Sequence, residues 1–451
     1  MKRILTILAA LLVLFSCTKE GTGTLFDGED WSQIESLELQ EDASRYRFYT
    51  FRYTTIDING DEVVLSAAMI IPKSSKIGAT IPRVILANHV TIFDKMESPS
   101  LYMLTKESNE ASAMVKKGGA LCIMPDYEGY GVSENRPHPY IVRSLSGRQC
   151  ADALLKGMEM FRKLEARRIV NPLDADYKTY CMGYSQGAAV SLSVQQYLEE
   201  NNLAESVHFA GTVCGGLPSD LVETVSFYLR ESGETFGVQT DHVKDRISPP
   251  VTMPFFVKCY CECLPEMKQY SPSDYFSKIF LDSGLLELMA ERTHTNSALQ
   301  KLLSARCKDG FTAPDGTVYS KEEALKLYPV METSRVEADL KWMLTPECYA
   351  YLSGRDLYMD PGDESGPMPA LHRALLKNSF LGDWTPSHPI KILHSKGDCL
   401  IPYGNALSFM EKHSGGAPIA IETAFSGTDH TTAGGLFYVR MMLSSNDFDT
   451  L

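Results

Sequence analysis

The chain has 451 residues, of which 44% are hydrophobic, so it can bury a sizeable core in one large domain with an insertion or in two domains. Its formal net charge is −14, and no run of basic residues follows the extreme N-terminus. This charge argues against nucleic-acid binding and against electrostatic docking to anionic lipid.

The N-terminus carries a predicted targeting signal. Lys2 and Arg3 precede the apolar run 4–15, which is too short to span a bilayer and is typical of a secretory signal. The run ends in Leu-Phe-Ser-Cys at Cys17, which resembles the lipobox of bacterial lipoproteins, where the cysteine is lipidated and becomes the new N-terminus. The alternative is a plain signal peptide with a chance cysteine.

We therefore predict a lipoprotein signal peptide at 1–17, lipidated at Cys17, and a polar tether at 18–40. Membrane attachment is expected through this lipid anchor only, in a bacterial cell envelope. Because Thr18 rather than aspartate follows the cysteine, the sorting rule of such lipoproteins implies the outer membrane. The rule leaves open whether the protein faces the periplasm or the cell surface.

Strands and helices are predicted to alternate along most of the chain. The β-rich runs 45–56 and 62–71 flank Asn59-Gly60, a strong hairpin signal. Further strands are predicted at 83–88, 120–124, 207–213, 390–394 and 419–424. Helices are predicted at 108–117, 188–198 and 404–413, and another after a capping box formed by Ser146 and Gln149. This alternation predicts an α/β fold with a mainly parallel sheet and helices on both faces.

The alternation stops between residues 217 and 388, where helical patterns are broken by Pro and Gly. Core strands resume afterwards, so we predict a large, mostly helical cap at 217–388, inserted before the penultimate strand. The α/β core is then 41–216 and 389–451. Because the insertion leaves and rejoins the core at strand ends, we expect it to roof the carboxyl edge of the sheet, with the apolar segments 253–257 and 285–289 as candidate lining.

The segment Gly183-Tyr184-Ser185-Gln186-Gly187 supplies a candidate nucleophile, Ser185. It lies between a predicted strand end and a predicted helix, which is the setting of a nucleophile elbow. The glycines are needed there because a side chain two residues from the serine would collide with a neighbouring strand or helix. The alternative is an ordinary loop serine.

A nucleophilic serine needs a base and a carboxylate, which in this arrangement follow in the order Ser, Asp, His. Asp398 follows the predicted strand 390–394, and His430 follows the strand 419–424. Asp126 is the rival acid because it also follows a strand. Other histidines, each in or beside an element in a less suitable place, are His388, His394 and His413.

Ten of the eleven cysteines follow Cys17. Cys259, Cys261 and Cys263 alternate, so in a strand they would share one face and could hold a metal or form a disulfide. No histidine lies close in sequence to complete a zinc site. We therefore predict no metal site.

Several loops together resemble the secretory lipase family of α/β-hydrolases, the group of fungal lipase-A-like enzymes and their bacterial relatives. The similar segments, besides Ser185, Asp398 and His430, are His89-Val90-Thr91, PDYEGYG at 125–131, His138-Pro139-Tyr140, Trp384-Thr385-Pro386 and DCLIP at 398–402. The resemblance implies carboxylic-ester hydrolysis without a cofactor, with Ser185, Asp398 and His430 as a catalytic triad.

The oxyanion hole of such enzymes uses the N–H of the residue after the nucleophile, here Gln186, and one from the loop after the third strand. We assign the second donor to Thr91, although Val90 stands where the family has glycine. The predicted activity is that of a serine esterase or lipase acting on a small-molecule or lipid ester. The alternatives are a peptidase of the same fold and a non-catalytic surface lipoprotein that binds a ligand.

Overall fold

A computed structural model describes residues 37–101, 119–231, 234–235, 237–333, 335–423, 425, 427–443 and 446–451. The predicted signal peptide, Cys17, most of the predicted tether and the predicted helix 108–117 lie outside these residues. The end of the tether prediction is wrong, because residues 37–40 belong to a strand that pairs with its neighbour. Within the described ranges, no helix is long and apolar enough to cross a membrane.

The described secondary structure comprises short and long elements in both classes. The strands are β1 (Leu37–Asp42), β2 (Tyr46–Ile56), β3 (Glu62–Pro72), β4 (Ile81–Asn88), β5 (Ala120–Pro125), β6 (Leu173–Tyr184), β7 (Phe209–Gly215), β8 (Glu234–Thr235), β9 (Val238–Gln239), β10 (Arg246–Ile247), β11 (Phe311–Thr312), β12 (Val318–Tyr319), β13 (Val330–Met331), β14 (Val336–Asp339), β15 (Ile390–Leu393) and β16 (Ile419–Glu422). The helices are α1 (Arg143–Ala166), α2 (Gln186–Glu200), α3 (Leu221–Tyr228), α4 (Thr252–Cys263), α5 (Lys278–Asp282), α6 (Leu285–Glu291), α7 (Asn296–Cys307), α8 (Lys321–Leu327), α9 (Leu340–Met343), α10 (Pro346–Ser353), α11 (Pro367–Asn378), α12 (Gly404–Lys412), α13 (His430–Leu443) and α14 (Asn446–Asp449).

Nine strands form one sheet in the order β1-β2-β3-β5-β4-β6-β7-β15-β16. The first four pair antiparallel, and every pair from β5–β4 onward is parallel. Parallel strands place their carboxyl ends at one edge of the sheet, so the loops that follow β4, β6, β7 and β15 meet there. The predicted fold class is confirmed.

Alternate residues of the central strands pack against helices on opposite faces of the sheet, as the two-residue period of a strand requires. Tyr180, Met182 and Tyr184 of β6 pack in one buried cluster with Phe437 and Met441 of α13. A second cluster joins the sheet to α2 and α12 through Cys214, Ile390, Ile392, Ala188, Leu192 and Phe409. Ser185 lies where β6 passes into α2, between these two layers.

The segment between β7 and β15 contains nine of the described helices, α3 to α11, and the short strands β8 to β14. Its strands include a small three-stranded sheet in the order β10-β14-β13, which the sequence patterns did not indicate. Its apolar residues form an extensive buried cluster of their own that also includes Tyr140, Leu400 and Ile401 of the α/β core.

Two local predictions are wrong. Cys259, Cys261 and Cys263 lie on helix α4 rather than on a strand, because that helix is buried on nearly all sides and its apolar run shows no helical period. The ten cysteines after Cys17 are free, and no group of three or more His, Cys, Asp or Glu residues in the described ranges could hold a metal. The capping box is also wrong: α1 begins at Arg143, so Ser146 and Gln149 lie inside it.

Candidate active site

Ser185 lies on a sharp turn between β6 and α2 and has φ +56° and ψ −121°. A positive φ is uncommon for a residue with a Cβ atom, and such strain concentrates at functional sites. Its N–H donates to the carbonyl of Gly215 at the end of the neighbouring β7, over 2.9 Å. The turn therefore holds the serine at the carboxyl edge of the sheet, as the elbow prediction requires.

The two glycines of the motif are required by close backbone contacts. A Cβ atom on Gly183 would lie 2.3 Å from the backbone of Gly187, and one on Gly187 would lie 2.1 Å from the carbonyl oxygen of Asn88. Real Cβ atoms are not found at such distances from backbone. Any side chain at either position would push the elbow away from β4.

Ser185, His430 and Asp398 are joined by two hydrogen bonds. The Ser185 hydroxyl donates to Nε2 of His430 over 2.9 Å, and Nδ1–H of His430 donates to Oδ2 of Asp398 over 2.5 Å. Asp398 has no exposed side-chain surface, and the His430 side chain is 12% exposed. The carboxylate thus fixes the imidazole tautomer that leaves Nε2 able to accept the serine proton.

The loop around Asp398, residues 394–402, holds the carboxylate in one orientation; we call it the Asp398 loop. Oδ1 of Asp398 accepts the backbone N–H groups of Leu400 and Ile401 at 2.9 and 2.8 Å. His394, a rival for the base, lies within the same loop but bonds to the carbonyl of Ile401 at 2.9 Å. Oδ2 is therefore the atom left for His430.

His430 is the first residue of α13. The adjacent Asp429 accepts the N–H groups of Thr431 and Thr432, both at 3.0 Å, and so caps this helix. The hydroxyl of Tyr184, which precedes Ser185, donates to the carbonyl of His430 over 2.9 Å. The base is therefore positioned by the helix cap and by the nucleophile turn itself.

The other rivals of the predicted triad make different contacts. Asp126 accepts from the hydroxyls of Ser66 and Ser100 and from the N–H of Ser100, the last at 2.7 Å. Burial raises the pKa of Asp126 to about 6, although these hydrogen bonds oppose the shift. His388 bonds to Glu199, and His413 contacts the carbonyls of Trp384 and Phe380. None of these contacts joins Asp126, His388 or His413 to Ser185.

The two predicted oxyanion donors occupy different settings. Gln186 is the first residue of α2, so its N–H has no acceptor within the helix. Thr91 is joined to the site indirectly, because its hydroxyl and that of Tyr140 share a hydrogen bond of 2.8 Å. Val90 is not among the residues with positive φ, so the backbone here differs from that expected for a glycine in this position. Thr91 stays a prediction.

A mostly apolar cavity of about 70 Å³ opens beside Ser185. Met253 and Phe256 of the predicted segment 253–257 line it, whereas Leu285 and Met289 of the other segment do not and are buried at 0% and 2% exposure. The remaining lining residues come from both the core and the segment between β7 and β15: Tyr140, Ile141, Pro218, Leu221, Thr224, Val225, Tyr228, Thr252, Leu375 and Ile401.

Two residues near the site were not found by sequence reasoning. His138, treated there as a loop residue, accepts a hydrogen bond of 2.9 Å from the side chain of Gln186. Tyr228 of α3 lines the cavity and donates its hydroxyl to the carbonyl of Leu400 over 2.6 Å. His138 lies in a segment already similar to the lipase family, but the Tyr228 contact joins residues 172 apart and leaves no local pattern.

Comparison with solved structures identifies the fold. The chain is similar to a Legionella pneumophila protein named as a hydrolase, with a TM-score of 0.62 and 18% identity over 93% of this chain and 92% of that chain. It is similar to the ligand-bound rice cell wall degrading esterase LipA from Xanthomonas oryzae, with a TM-score of 0.58 and 18% identity over 90% and 89% of the two chains. Candida antarctica lipase A in its closed state gives a TM-score of 0.53 and 13% identity over 88% and 78%.

No family model and no curated protein matches the sequence. The structural likeness, at these low identities, establishes that the chain has the α/β-hydrolase fold.

Proposed function

We propose that the protein is a serine hydrolase that cleaves carboxylic esters through an acyl-enzyme, as an esterase or lipase related to the secretory lipase family. The observation that carries this proposal is the hydrogen-bonded chain from Ser185 Oγ through His430 to Asp398, at 2.9 and 2.5 Å. These are the distances that general-base activation of a serine requires.

In the proposed reaction, His430 Nε2 takes the proton of Ser185 as Oγ attacks the ester carbonyl. Asp398 stabilises the imidazolium, and N–H groups of Gln186 and Thr91 stabilise the oxyanion. The alcohol leaves with the proton from His430, and a water molecule activated by the same imidazole releases the acid. Every proton in this cycle passes through His430, so no cofactor is needed.

The apolar lining beside Ser185 supports an acyl group of short to medium length as the preferred substrate. Each buried methylene contributes about 0.8 kcal/mol until the cavity is filled. We expect kcat/KM to rise from p-nitrophenyl acetate to butyrate and to fall by palmitate. A steep, continuous fall from acetate onward would contradict an apolar acyl pocket and favour a deacetylase.

The proposal is tested by comparing wild-type protein with Ser185→Ala on the same ester series and on aminoacyl amides. Because the hydroxyl is the nucleophile, we expect Ser185→Ala to lower ester turnover by about 10³-fold or more while leaving the melting temperature unchanged. Amide turnover that exceeds ester turnover would favour a peptidase. Equal activity in wild type and variant would overturn the assignment of the nucleophile.

Attachment to the membrane through a lipid on Cys17 is a separate proposal, supported by the sequence alone. Metabolic labelling with an alkyne fatty acid should label the wild-type chain in bacteria. Cys17→Ser should remove the label and release the chain from the membrane fraction. Unchanged labelling in Cys17→Ser would contradict this anchor.

A further inference from the structure

The amide side chain of Gln186 is held by a single imidazole outside the proposed triad. Gln186 is 2% exposed, and its Nε2–H donates to Nε2 of His138 over 2.9 Å. The same residue carries the first N–H of α2 and follows Ser185 directly. A contact that fixes its side chain therefore also restricts rotation of the peptide group beside the nucleophile.

Hydrogen bonding fixes the tautomer of His138. Its Nδ1–H donates to the carbonyl of Glu128 over 2.7 Å, which leaves Nε2 with a lone pair for Gln186. Burial lowers the pKa of His138 to about 3. The ring therefore stays neutral, and Nε2 stays an acceptor, across the pH range in which an esterase is assayed.

The partner of His138 is itself held firmly. The carboxylate of Glu128 accepts from Nε of Arg136 over 2.6 Å and from Nε2 of Gln149 over 2.7 Å. Arg136 also donates to Asp57, in the β2–β3 turn, over 2.6 Å. The loop that carries His138 is thus tied both to the antiparallel part of the sheet and to α1.

We propose that His138 is a positioning residue, which orients the first N–H of α2 toward the oxyanion by accepting the hydrogen bond of the Gln186 side chain. The inference rests on the proposed function, because it assigns this N–H to the oxyanion. His138 itself touches neither Ser185 nor the cavity lining. Loss of the contact should weaken stabilisation that is specific to the transition state, and should lower kcat rather than raise KM.

Two substitutions separate the two hydrogen bonds of the ring. In His138→Gln the side-chain oxygen reaches the place of Nε2 and can still accept from Gln186, while the bond to Glu128 is lost. In His138→Asn the amide nitrogen lies near the place of Nδ1 and can still donate to Glu128, while the bond to Gln186 is lost. The pair therefore distinguishes orientation of Gln186 from support of the loop.

In the full-length chain, purified in detergent, we expect His138→Asn to lower kcat about tenfold with KM unchanged, and His138→Gln to stay within about threefold of wild type. The inhibition constant of an alkylboronic acid, which forms a tetrahedral adduct with serine, should rise in His138→Asn by the same factor. The opposite ranking of the two variants would mean that His138 only supports the loop, and would overturn the proposal.

Gln186→Met keeps the backbone N–H and removes the side-chain donor, so it gives a test that leaves His138 intact. It should lower kcat about as much as His138→Asn, and the double variant should lose no more than either single variant. Full kcat in Gln186→Met, or losses that multiply in the double variant, would overturn the proposal even if a His138 variant does not fold. If wild type shows no ester turnover that depends on Ser185, the proposed function fails first.

Discussion

Two aspartates follow strands at the same edge of the sheet, and their surroundings differ. Asp398 receives two backbone N–H groups on Oδ1 and an imidazole N–H on Oδ2. Asp126 receives only hydroxyls and a backbone N–H, from Ser66 and Ser100. The position at a strand end is shared, so the partners alone separate a carboxylate that can orient a base from one that can only brace a loop.

The largest expected effect comes from neutralising each carboxylate in turn. Asp398→Asn should lower kcat/KM by about 10⁴-fold, because the amide favours the wrong tautomer of His430. Asp126→Asn is the matched control and should change kcat/KM by less than about tenfold. Steady-state kinetics on one aryl ester measure both, and comparable losses in the two variants would contradict the distinction.

The second effect is on stability, and it sharpens the contrast for Asp126. Its pKa in the folded protein is about 6 because of burial, whereas an aspartate in an unfolded chain titrates near 4. Between these values the folded protein keeps a proton that the unfolded chain has lost. The free energy of unfolding should therefore fall as the pH rises through this window, by about 2–3 kcal/mol in all.

Urea unfolding of wild type and Asp126→Asn from pH 4 to pH 7 checks this prediction. His89 and His138, whose pKa values burial lowers to about 4 and about 3, contribute the opposite slope, but they are present in both proteins. The difference in unfolding free energy, wild type minus variant, should thus decrease as the pH rises. A difference that is constant with pH would contradict a raised pKa at Asp126.

The smallest expected effect tests whether the Asp398 loop depends on its neighbour across the cavity. Tyr228→Phe removes the hydroxyl that donates to the carbonyl of Leu400. We expect kcat to fall about fivefold, the equivalent of one hydrogen bond of about 1 kcal/mol, because the turn that orients Asp398 loosens.

Tyr328→Phe is the control for that variant. Tyr328 is also fully buried, and its hydroxyl shares one hydrogen bond with Ser283, far along the chain from the triad residues. Thermal unfolding should report a similar loss of stability in both variants. Equal kcat values in the two would show that the Tyr228 contact serves packing only.

The sequence predicts the carboxyl edge of the sheet well because local patterns encode it. Predicted strands such as 390–394 and 62–71 differ from the observed ones by about one residue, since buried parallel strands and an Asn-Gly hairpin leave strong local signals. The elbow glycines likewise lie next to Ser185 in the chain. Chain order then sufficed to choose Asp398 over Asp126.

What the sequence did not predict depends on contacts between distant residues or on burial from all sides. Helix α4 is buried nearly all round, so its cysteines gave a false strand pattern. Gln149 lies inside α1, where its side chain reaches Glu128 rather than capping the helix. The bond between Gln186 and His138 joins residues 48 apart, and only the folded chain brings them together.

The most direct test of the account is to find the atom that reacts. Full-length protein is treated with a fluorophosphonate, digested and mapped by mass spectrometry, with Ser185→Ala and Asp126→Asn treated in parallel. We predict one adduct, on the peptide that contains Ser185, in wild type and in Asp126→Asn, and none in Ser185→Ala. An adduct on another residue, or undiminished labelling of Ser185→Ala, would contradict Ser185 as the nucleophile.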